Sequence, residues 1–321
     1  MPGRIYTTPK ARLAAPNVQE KAQLRERFLA WWHGLDVSAG QKETASKPVG
    51  SKAVEKSPAR LDLTSRVKVV QAMWGEGHAM PCSTEFITYL GKPLRLNEKI
   101  SALDIGAGLG GADRELCKAF GTWIDGLEVD RELVTEGSRL AKKLGMEKKA
   151  TLSAFDPEII ELPERKYDRV FSKETWCSVK DKDRLLKQVM KTLRAKGELL
   201  LVDFVVGDKP GAKSRLDAGL AADGRIRDPW PASAYVDALK FNGLEVRVAD
   251  DISDMYLQVI GTDLQRLHGA LKGDPKFEPN EVLTRELTVW MQRIELMRDE
   301  NLRMYRFHAL KANAPKPLSN W

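Results

Sequence analysis

The stretch from Ile100 to Gly111 constrains the fold of this chain more than any other part of the sequence. The apolar run Ile-Ser-Ala-Leu-Asp-Ile is followed at once by the turn Gly-Ala-Gly-Leu-Gly-Gly. A buried strand that ends in such a turn and opens a helix is one unit of a parallel α/β sheet. Glycine is needed there because the backbone must bend sharply and approach a nucleotide-like ligand without a Cβ in the way.

The glycine spacing and the acid before it favour different ligands. Gly106, Gly108 and Gly111 satisfy the dinucleotide pattern G-x-G-x-x-G, which leaves NAD open as an alternative. Asp104 lies two residues before the first glycine, where a carboxylate repels phosphates and attracts a cation. S-adenosylmethionine is such a ligand, because it carries a sulfonium and an α-ammonium group. The sequence therefore favours S-adenosylmethionine, bound beside Asp104 and the glycine turn.

Three further polar residues follow later strands in the order that such a site requires. Glu128 ends the second strand ~20 residues beyond the turn, where a carboxylate can accept both ribose hydroxyls. Asp156 follows Phe155, so its carboxylate can accept the adenine amino group while the phenyl ring covers the base. Ser172 ends the fourth strand, at the edge where open α/β sheets hold their ligands. These residues complete the predicted cofactor site.

Strand and helix signals alternate from residue 100 onward. Strands are predicted at 100–105, 123–128, 150–154, 167–172, 198–205 and 244–248, helices at 110–119, 131–144, 181–194 and 232–242, and a closing strand at 303–311. The pattern predicts an α/β fold, a doubly wound and mostly parallel Rossmann-like sheet with a helical N-terminal extension and a helical C-terminal insertion. The predicted divisions are a basic helix and flexible linker (1–60), lid and cap helices (61–99), and a cofactor-binding domain (100–321) with helices inserted at about 262–299.

Charge is concentrated at the start of the chain. The net charge is +7, and residues 1–60 hold eleven Lys/Arg against five Asp/Glu, so the remainder is almost neutral. A basic amphipathic helix at 17–35 can contact a membrane surface or a second subunit, or pack on its own domain. No run approaches the ~20 apolar residues that span a bilayer. Three scattered cysteines predict a reduced, cytoplasmic protein without a metal site.

With these residues the chain resembles class I S-adenosylmethionine-dependent methyltransferases over about 65–311. It is most similar to the phosphoethanolamine, sarcosine and tocopherol methyltransferase group. In that group a segment ending Phe-Gly-x-Gly-Phe closes over the cofactor, and Met73–His78 stands in its place; Tyr305–Lys311 looks like the group's last strand. The resemblance implies that the cofactor is surrounded by Gly106, Gly108, Gly110, Glu128, Asp156 and Ser172.

The chain departs from the phosphobase methyltransferases at their catalytic pair. Those enzymes pair a tyrosine ahead of the lid with a histidine after the fourth strand. The histidine position falls at Ser178 here, and no tyrosine lies between Leu61 and Gly75. The lid sequence Ser-x-Gly-Gly is replaced by Met-Pro-Cys-Ser at residues 80–83. The resemblance therefore implies an intact cofactor-binding site without the Tyr/His catalytic pair.

Candidate catalytic and substrate residues come from the lid and from aromatic positions. His78 is a candidate general base because imidazole titrates near neutrality. Glu76 is the second candidate, or a ligand for the cofactor's ammonium group. Trp176, Trp230 and Tyr235 can enclose a cationic amine, or belong to the core.

The function predicted from these residues is methyl transfer from S-adenosylmethionine to a small molecule or lipid headgroup, with the acceptor atom (N, O, S or C) left open. An RNA methyltransferase that uses the basic arm is one alternative. Nucleic acid is disfavoured because residues 61–321 carry almost no surplus positive charge for phosphates. A non-catalytic methyltransferase-like binding protein is the other alternative.

Overall fold

The computed structural model describes residues 61–220, 224–272 and 280–312. The predicted N-terminal helix and linker of residues 1–60 lie outside the described residues. None of the described helices is long and apolar enough to cross a membrane. Within the same ranges, no group of three or more His, Cys, Asp or Glu side chains is arranged to hold a metal ion.

Seven strands form one sheet. They are β1 (Ser101–Ile105), β2 (Trp123–Glu128), β3 (Ala150–Ala154), β4 (Tyr167–Lys173), β5 (Leu193–Val206), β6 (Leu244–Asp251) and β7 (Leu302–Lys311). Their order across the sheet is β3-β2-β1-β4-β5-β7-β6. Strands β1 to β5 are parallel, and β7 runs antiparallel to both β5 and β6. The predicted doubly wound, mostly parallel sheet is confirmed, and the strand order reverses beside β1, where such sheets bind ligands.

Nine α-helices accompany these strands within the described residues. They are α1 (Arg66–Trp74), α2 (Thr84–Gly91), α3 (Gly111–Phe120), α4 (Arg131–Lys143), α5 (Lys182–Thr192), α6 (Ala212–Gly219), α7 (Ala232–Phe241), α8 (Ser253–Lys272) and α9 (Glu281–Arg298). The sequence placed lid and cap helices within 61–99 without bounds for α2, and it did not predict α6; each of these helices has only eight residues. It placed the start of the insertion at 262, whereas α8 begins at Ser253. It also began the fifth strand at 198, whereas β5 begins at Leu193.

The sheet is buried on both faces, and β5 shows this in its alternating side chains. Leu200, Val202 and Phe204 join an apolar core with α1, α2, α8 and α9. Leu199, Leu201 and Val205 join a second core with α5 and α7. Successive side chains of a strand point to opposite faces, so a strand covered on both faces needs a continuous apolar run. The ring of Trp74 packs edge-on against Trp290 with centroids 4.7 Å apart, which fixes the end of α1 on α9.

Candidate active site

The glycine turn after β1 has a backbone that side chains would not tolerate. Gly106, Gly108 and Gly110 have φ values of 91°, 58° and 68°, in the left-handed region that favours glycine. A Cβ at Gly106 would lie 1.6 Å from Thr175 Oγ1. The amide N–H of Gly106 donates to the carbonyl of Leu127 at 2.8 Å, which ties the turn to β2. The turn is therefore a rigid cradle that presents bare backbone.

Glu128 holds the cradle from the end of β2. Its Oε2 accepts the Gly108 N–H at 2.8 Å, and its Oε1 accepts the Asp130 N–H at 2.9 Å. The residue is only 7% exposed. Burial raises the pKa of Glu128, although the backbone N–H groups partly offset this effect. Each carboxylate oxygen has a second lone pair, so Glu128 can also accept the vicinal hydroxyls of a ribose.

Two buried carboxyl groups lie behind the turn. Asp104 in β1 and Asp113 in α3 are both buried, and Asp104 Oδ1 and both Asp113 oxygens have no hydrogen-bond partner within the described part of the chain. Burial and repulsion from Asp113 raise the pKa of Asp104 well above its usual range. Burial raises the pKa of Asp113 to about 6. A nearby cation would stabilise the charged forms of these two carboxyl groups, and a phosphate would not.

Replacing Asp113 by asparagine should remove a pH-dependent loss of stability. The pKa of Asp113 is about 6 in the folded protein, above the ordinary 3.8 expected in the unfolded chain. The folded protein therefore binds this proton more tightly than the unfolded chain does. The resulting stabilisation is complete below about pH 4 and is lost as the pH rises through about 6. Between those pH values the native protein should lose unfolding free energy relative to Asp113→Asn.

Urea unfolding over a pH series measures this difference. The exposed Asp237 in α7 provides the matched control Asp237→Asn, which should follow the native pH dependence. Parallel curves for the native protein and Asp113→Asn would contradict the assignment.

Residues 75–83 connect α1 to α2 and cover the turn; we call them the lid segment. The carbonyl of Gly77 accepts from Arg114 Nη2 at 3.3 Å, and its N–H donates to Gln71 Oε1 at 2.9 Å. A Cβ at Gly111 would lie 2.3 Å from the Gly77 carbonyl and 2.5 Å from His78 Nδ1. The last glycine of the turn therefore makes room for the lid, a role that the spacing pattern did not reveal.

The lid leaves a small cavity over the turn. Its volume is about 20 Å³, and it is lined by Gly77, His78, Ala79, Met80, Cys82, Ala107, Gly111, Ala112 and Lys173. Ligand pockets usually offer about 300–1,000 Å³, so this cavity as it stands is too small for a nucleoside. Burial, with the charges of Arg114 and Lys173, lowers the pKa of His78 to about 4. His78 is therefore a neutral imidazole at pH 7.

The other predicted cofactor residues lie around the turn with different degrees of exposure. Ser172 is buried and its Oγ donates to the Ile105 carbonyl at 2.5 Å, so it supports the end of β1. Asp156 is exposed after β3. The neighbouring Phe155 N–H donates to the Glu128 carbonyl at 3.1 Å, which brings this segment next to Glu128.

Four predicted catalytic or substrate residues do not border the cavity. The Glu76 side chain is 71% exposed and pairs with Lys143 at 3.2 Å. Trp176 and Tyr235 are each 2% exposed and belong to the core under α5 and α7. Trp230 packs on Tyr235 with ring centroids 5.5 Å apart. Apolar burial places Trp176 and Tyr235 in the core, which is one of the two alternatives for these positions. A substrate role for Trp230 stays a prediction.

The sequence analysis missed a polar cluster at the end of β4. Lys173 Nζ donates to the Pro81 carbonyl at 3.2 Å and pairs with Glu174. The Tyr256 hydroxyl also donates to Glu174 Oε1. Glu174 Oε2 is buried without a partner among the described residues, and Glu174 has a φ of 58°. The sequence signal for this cluster was the charged pair Lys173-Glu174 directly after an apolar strand. Tyr256 gave no signal, because the sequence placed the start of the helix at residue 262.

The strand order, the antiparallel β7 and the glycine cradle facing a buried glutamate define a Rossmann-like nucleotide-binding enzyme domain. A family model described as a methyltransferase domain matches residues 79–248, more than half of the chain. The chain belongs to this methyltransferase family. The predicted class, a class I S-adenosylmethionine-dependent methyltransferase, is thereby confirmed.

Individual relatives are distant. The chain is 24% identical to phosphoethanolamine N-methyltransferase 1 of Zea mays, over 61% of this chain and 38% of that protein. It is 26% identical to sterol 24-C-methyltransferase ERG6 of Saccharomyces cerevisiae, over 47% of this chain and 41% of that protein. The match thus spans about two fifths of each relative.

A solved structure shares the fold. Phosphoethanolamine N-methyltransferase 2 of Haemonchus contortus, in complex with S-adenosyl-L-methionine, superposes with a TM-score of 0.68 and 18% identity. The superposition covers 82% of this chain and 61% of that one. At this identity the comparison supports the fold.

Proposed function

We propose that this protein transfers a methyl group from S-adenosylmethionine to a small molecule or lipid headgroup. The observation that carries the proposal is the cradle in which Glu128 accepts the Gly108 N–H, together with the buried Asp104, whose Oδ1 has no hydrogen-bond partner among the described residues. Family membership supports the same methyl donor. A small-molecule acceptor and a cytoplasmic setting remain predictions.

The residues present fit this cofactor. Glu128 would accept the ribose hydroxyls, the bare backbone of Gly106 and Gly108 would allow close approach, and Asp104 would balance the positive charge. When bound, S-adenosylmethionine supplies an electrophilic methyl group on a sulfonium leaving group. The protein's task is then to hold the acceptor in line and exclude water. Arg114 and Lys173 donate hydrogen bonds to backbone carbonyls of the lid segment and so hold it over the turn, where it can exclude water.

Glu174 is the group we assign to the acceptor. Its Oε2 is buried without a described partner, while Oε1 accepts from Lys173 and Tyr256. An acceptor with an N–H or O–H group would satisfy that oxygen, because an unpaired buried acceptor is costly. The phosphobase dyad is absent from the sequence, and Ser178 Oγ is engaged with the Thr175 carbonyl at 2.7 Å. Acceptors other than phosphoethanolamine are therefore favoured.

His78 is the candidate base, and the pH profile of kcat/KM tests it. Because its pKa is about 4, its neutral form is present at pH 5 and above and is lost only as the pH falls through about 4. We expect no inflection near pH 6.5 that depends on this residue. A limb near pH 6.5 in the native enzyme that disappears in His78→Gln would contradict this assignment.

The first experiment is titration calorimetry with S-adenosylmethionine and S-adenosylhomocysteine. It is followed by transfer of labelled methyl to amines, phenols, sterols and lipid headgroups, with a structured RNA as a comparison. We expect saturable cofactor binding and transfer to at least one small acceptor. Binding without transfer to any acceptor would indicate a non-catalytic protein, and transfer to RNA alone would replace the proposed substrate class. Absence of cofactor binding, together with binding of NAD, would overturn the proposal.

A further inference from the structure

A second concave site lies at the opposite edge of the sheet, where the parallel strands begin. Its volume is about 650 Å³, and we call it the amino-edge cleft. It is bordered by Ile100 ahead of β1, by the start of β6 and by the end of β7. The five residues of β1 span about 17 Å and separate it from the glycine turn. The cleft is therefore distinct from the cofactor site.

Positive charge dominates the lining of this cleft. Five cations contribute to it, Arg95, Arg169, Lys196, Arg247 and Lys311, against the two carboxylates Glu198 and Glu245. This surplus is local, because residues 61–321 are almost neutral as a whole. A concave surface with an excess of one charge concentrates ions of the opposite sign.

The two carboxylates pair with three of the five cations, which still leaves a surplus of positive charge. Glu245 pairs with Arg247 at 2.8 Å. Glu198 is buried, and it pairs with Arg95, with Arg169 at 3.3 Å and with His308 at 2.6 Å. Burial opposes ionisation of Glu198, but His308, Arg95 and Arg169 outweigh it, so its pKa is lowered and it stays charged. The side chain of Lys196 forms no hydrogen bond or ion pair with any described residue.

The backbone presents three of these cations in unusual conformations. Arg95 and Lys196 have φ values of 49° and 62°, two of the five non-glycine residues with positive φ in the described ranges. L side chains disfavour this region. Arg247 lies at the register shift between Val246 and Val248, a bulge in the pairing of β6 with β7. Bulges redirect side chains and occur often at functional sites. The cations of this cleft are therefore presented by locally strained or irregular backbone.

We propose that the amino-edge cleft binds a small ligand that carries a multiply charged phosphate group. The volume lies within the range of small-ligand pockets. Arginine forks bind phosphate oxygens in pairs, and Ile100 and Leu310 supply apolar contact for the remainder of the ligand. The volume of the cleft suits a compact anion better than an extended polyanion.

Titration calorimetry with inorganic tripolyphosphate and with ATP tests this site in the full-length protein. We expect one saturable equivalent whose affinity falls with salt and is unchanged by saturating S-adenosylhomocysteine. In Lys196→Gln/Arg247→Gln the affinity should fall by about tenfold or more, because hydrogen bonds to charged groups are lost. The control Lys187→Gln/Arg215→Gln removes the same charge from exposed positions on α5 and α6 and should bind normally.

Several outcomes would overturn the proposal. They are the absence of saturable binding, equal affinity in the two double variants, and competition by S-adenosylhomocysteine. Binding to phosphatidic acid vesicles or to single-stranded RNA, without binding of tripolyphosphate or ATP, would also overturn it, in favour of an extended partner. If the cleft variant does not show native thermal unfolding, the single variant Lys196→Gln replaces it, because this side chain has no described partner to lose.

Discussion

Replacing Glu128 by alanine should lower the affinity for S-adenosylmethionine by at least about a hundredfold. Two hydrogen bonds from ribose hydroxyls to a buried carboxylate would be lost, each contributing ~1.5–3 kcal/mol. The change also leaves the Gly108 N–H without its acceptor, so the cradle itself is weakened. Calorimetric titration of the variant with S-adenosylmethionine and S-adenosylhomocysteine measures the loss.

The exposed Glu132, four residues further along the chain, provides the matched control. Glu132→Ala removes the same group and should bind the cofactor normally. Thermal unfolding of Glu128→Ala distinguishes a lost ligand contact from an unfolded turn. A variant that unfolds like the native protein but does not bind the cofactor has lost only the contact. Affinity within a fewfold of native would remove Glu128 from the cofactor site.

Replacing Gly106 by alanine should destabilise the fold and abolish cofactor binding together. The φ of 91° disfavours any L side chain, and the new methyl would lie 1.6 Å from Thr175 Oγ1. The left-handed conformation costs ~1–2 kcal/mol, and overpacking adds ~1–3 kcal/mol. We expect a loss of ~2–5 kcal/mol in unfolding free energy, measured by urea titration.

The variant Gly145→Ala is the control that separates the cost of packing from the cost of the backbone conformation. Gly145 has a φ of 66°, but a Cβ there meets nothing within 4 Å. Gly145→Ala should therefore lose only the ~1–2 kcal/mol of conformational cost and keep its affinity for the cofactor. Equal losses in the two variants would show that close packing against Thr175 is unimportant.

The glycine turn and the acid at the end of β2 were predictable because their requirements are local. Gly106, Gly108 and Gly110 must be glycine for backbone reasons that a short sequence window reveals. Glu128 follows from the length of one strand-helix-strand unit. The alternation of strands and helices likewise predicted the sheet, since each element shows its own period.

The aromatic residues show the limit of such patterns. Trp176 and Tyr235 fall next to strand and helix ends, where either a ligand or the core can cover them. Their burial at 2% exposure is decided by α5 and α7 packing on the sheet. A sequence pattern gives the polarity of a side chain and not the surface that covers it.

By itself the sequence of this protein determined a doubly wound sheet, a glycine cradle and a buried acid at the end of β2, because each depends on neighbouring residues. Only the tertiary structure decided that Gly111 makes room for the lid segment, that Glu174 meets Tyr256, and that Arg95 and Arg247 share one cleft. Those pairs are far apart in the chain. Their contacts depend on strand register, a bulge and helix packing, which no local period encodes.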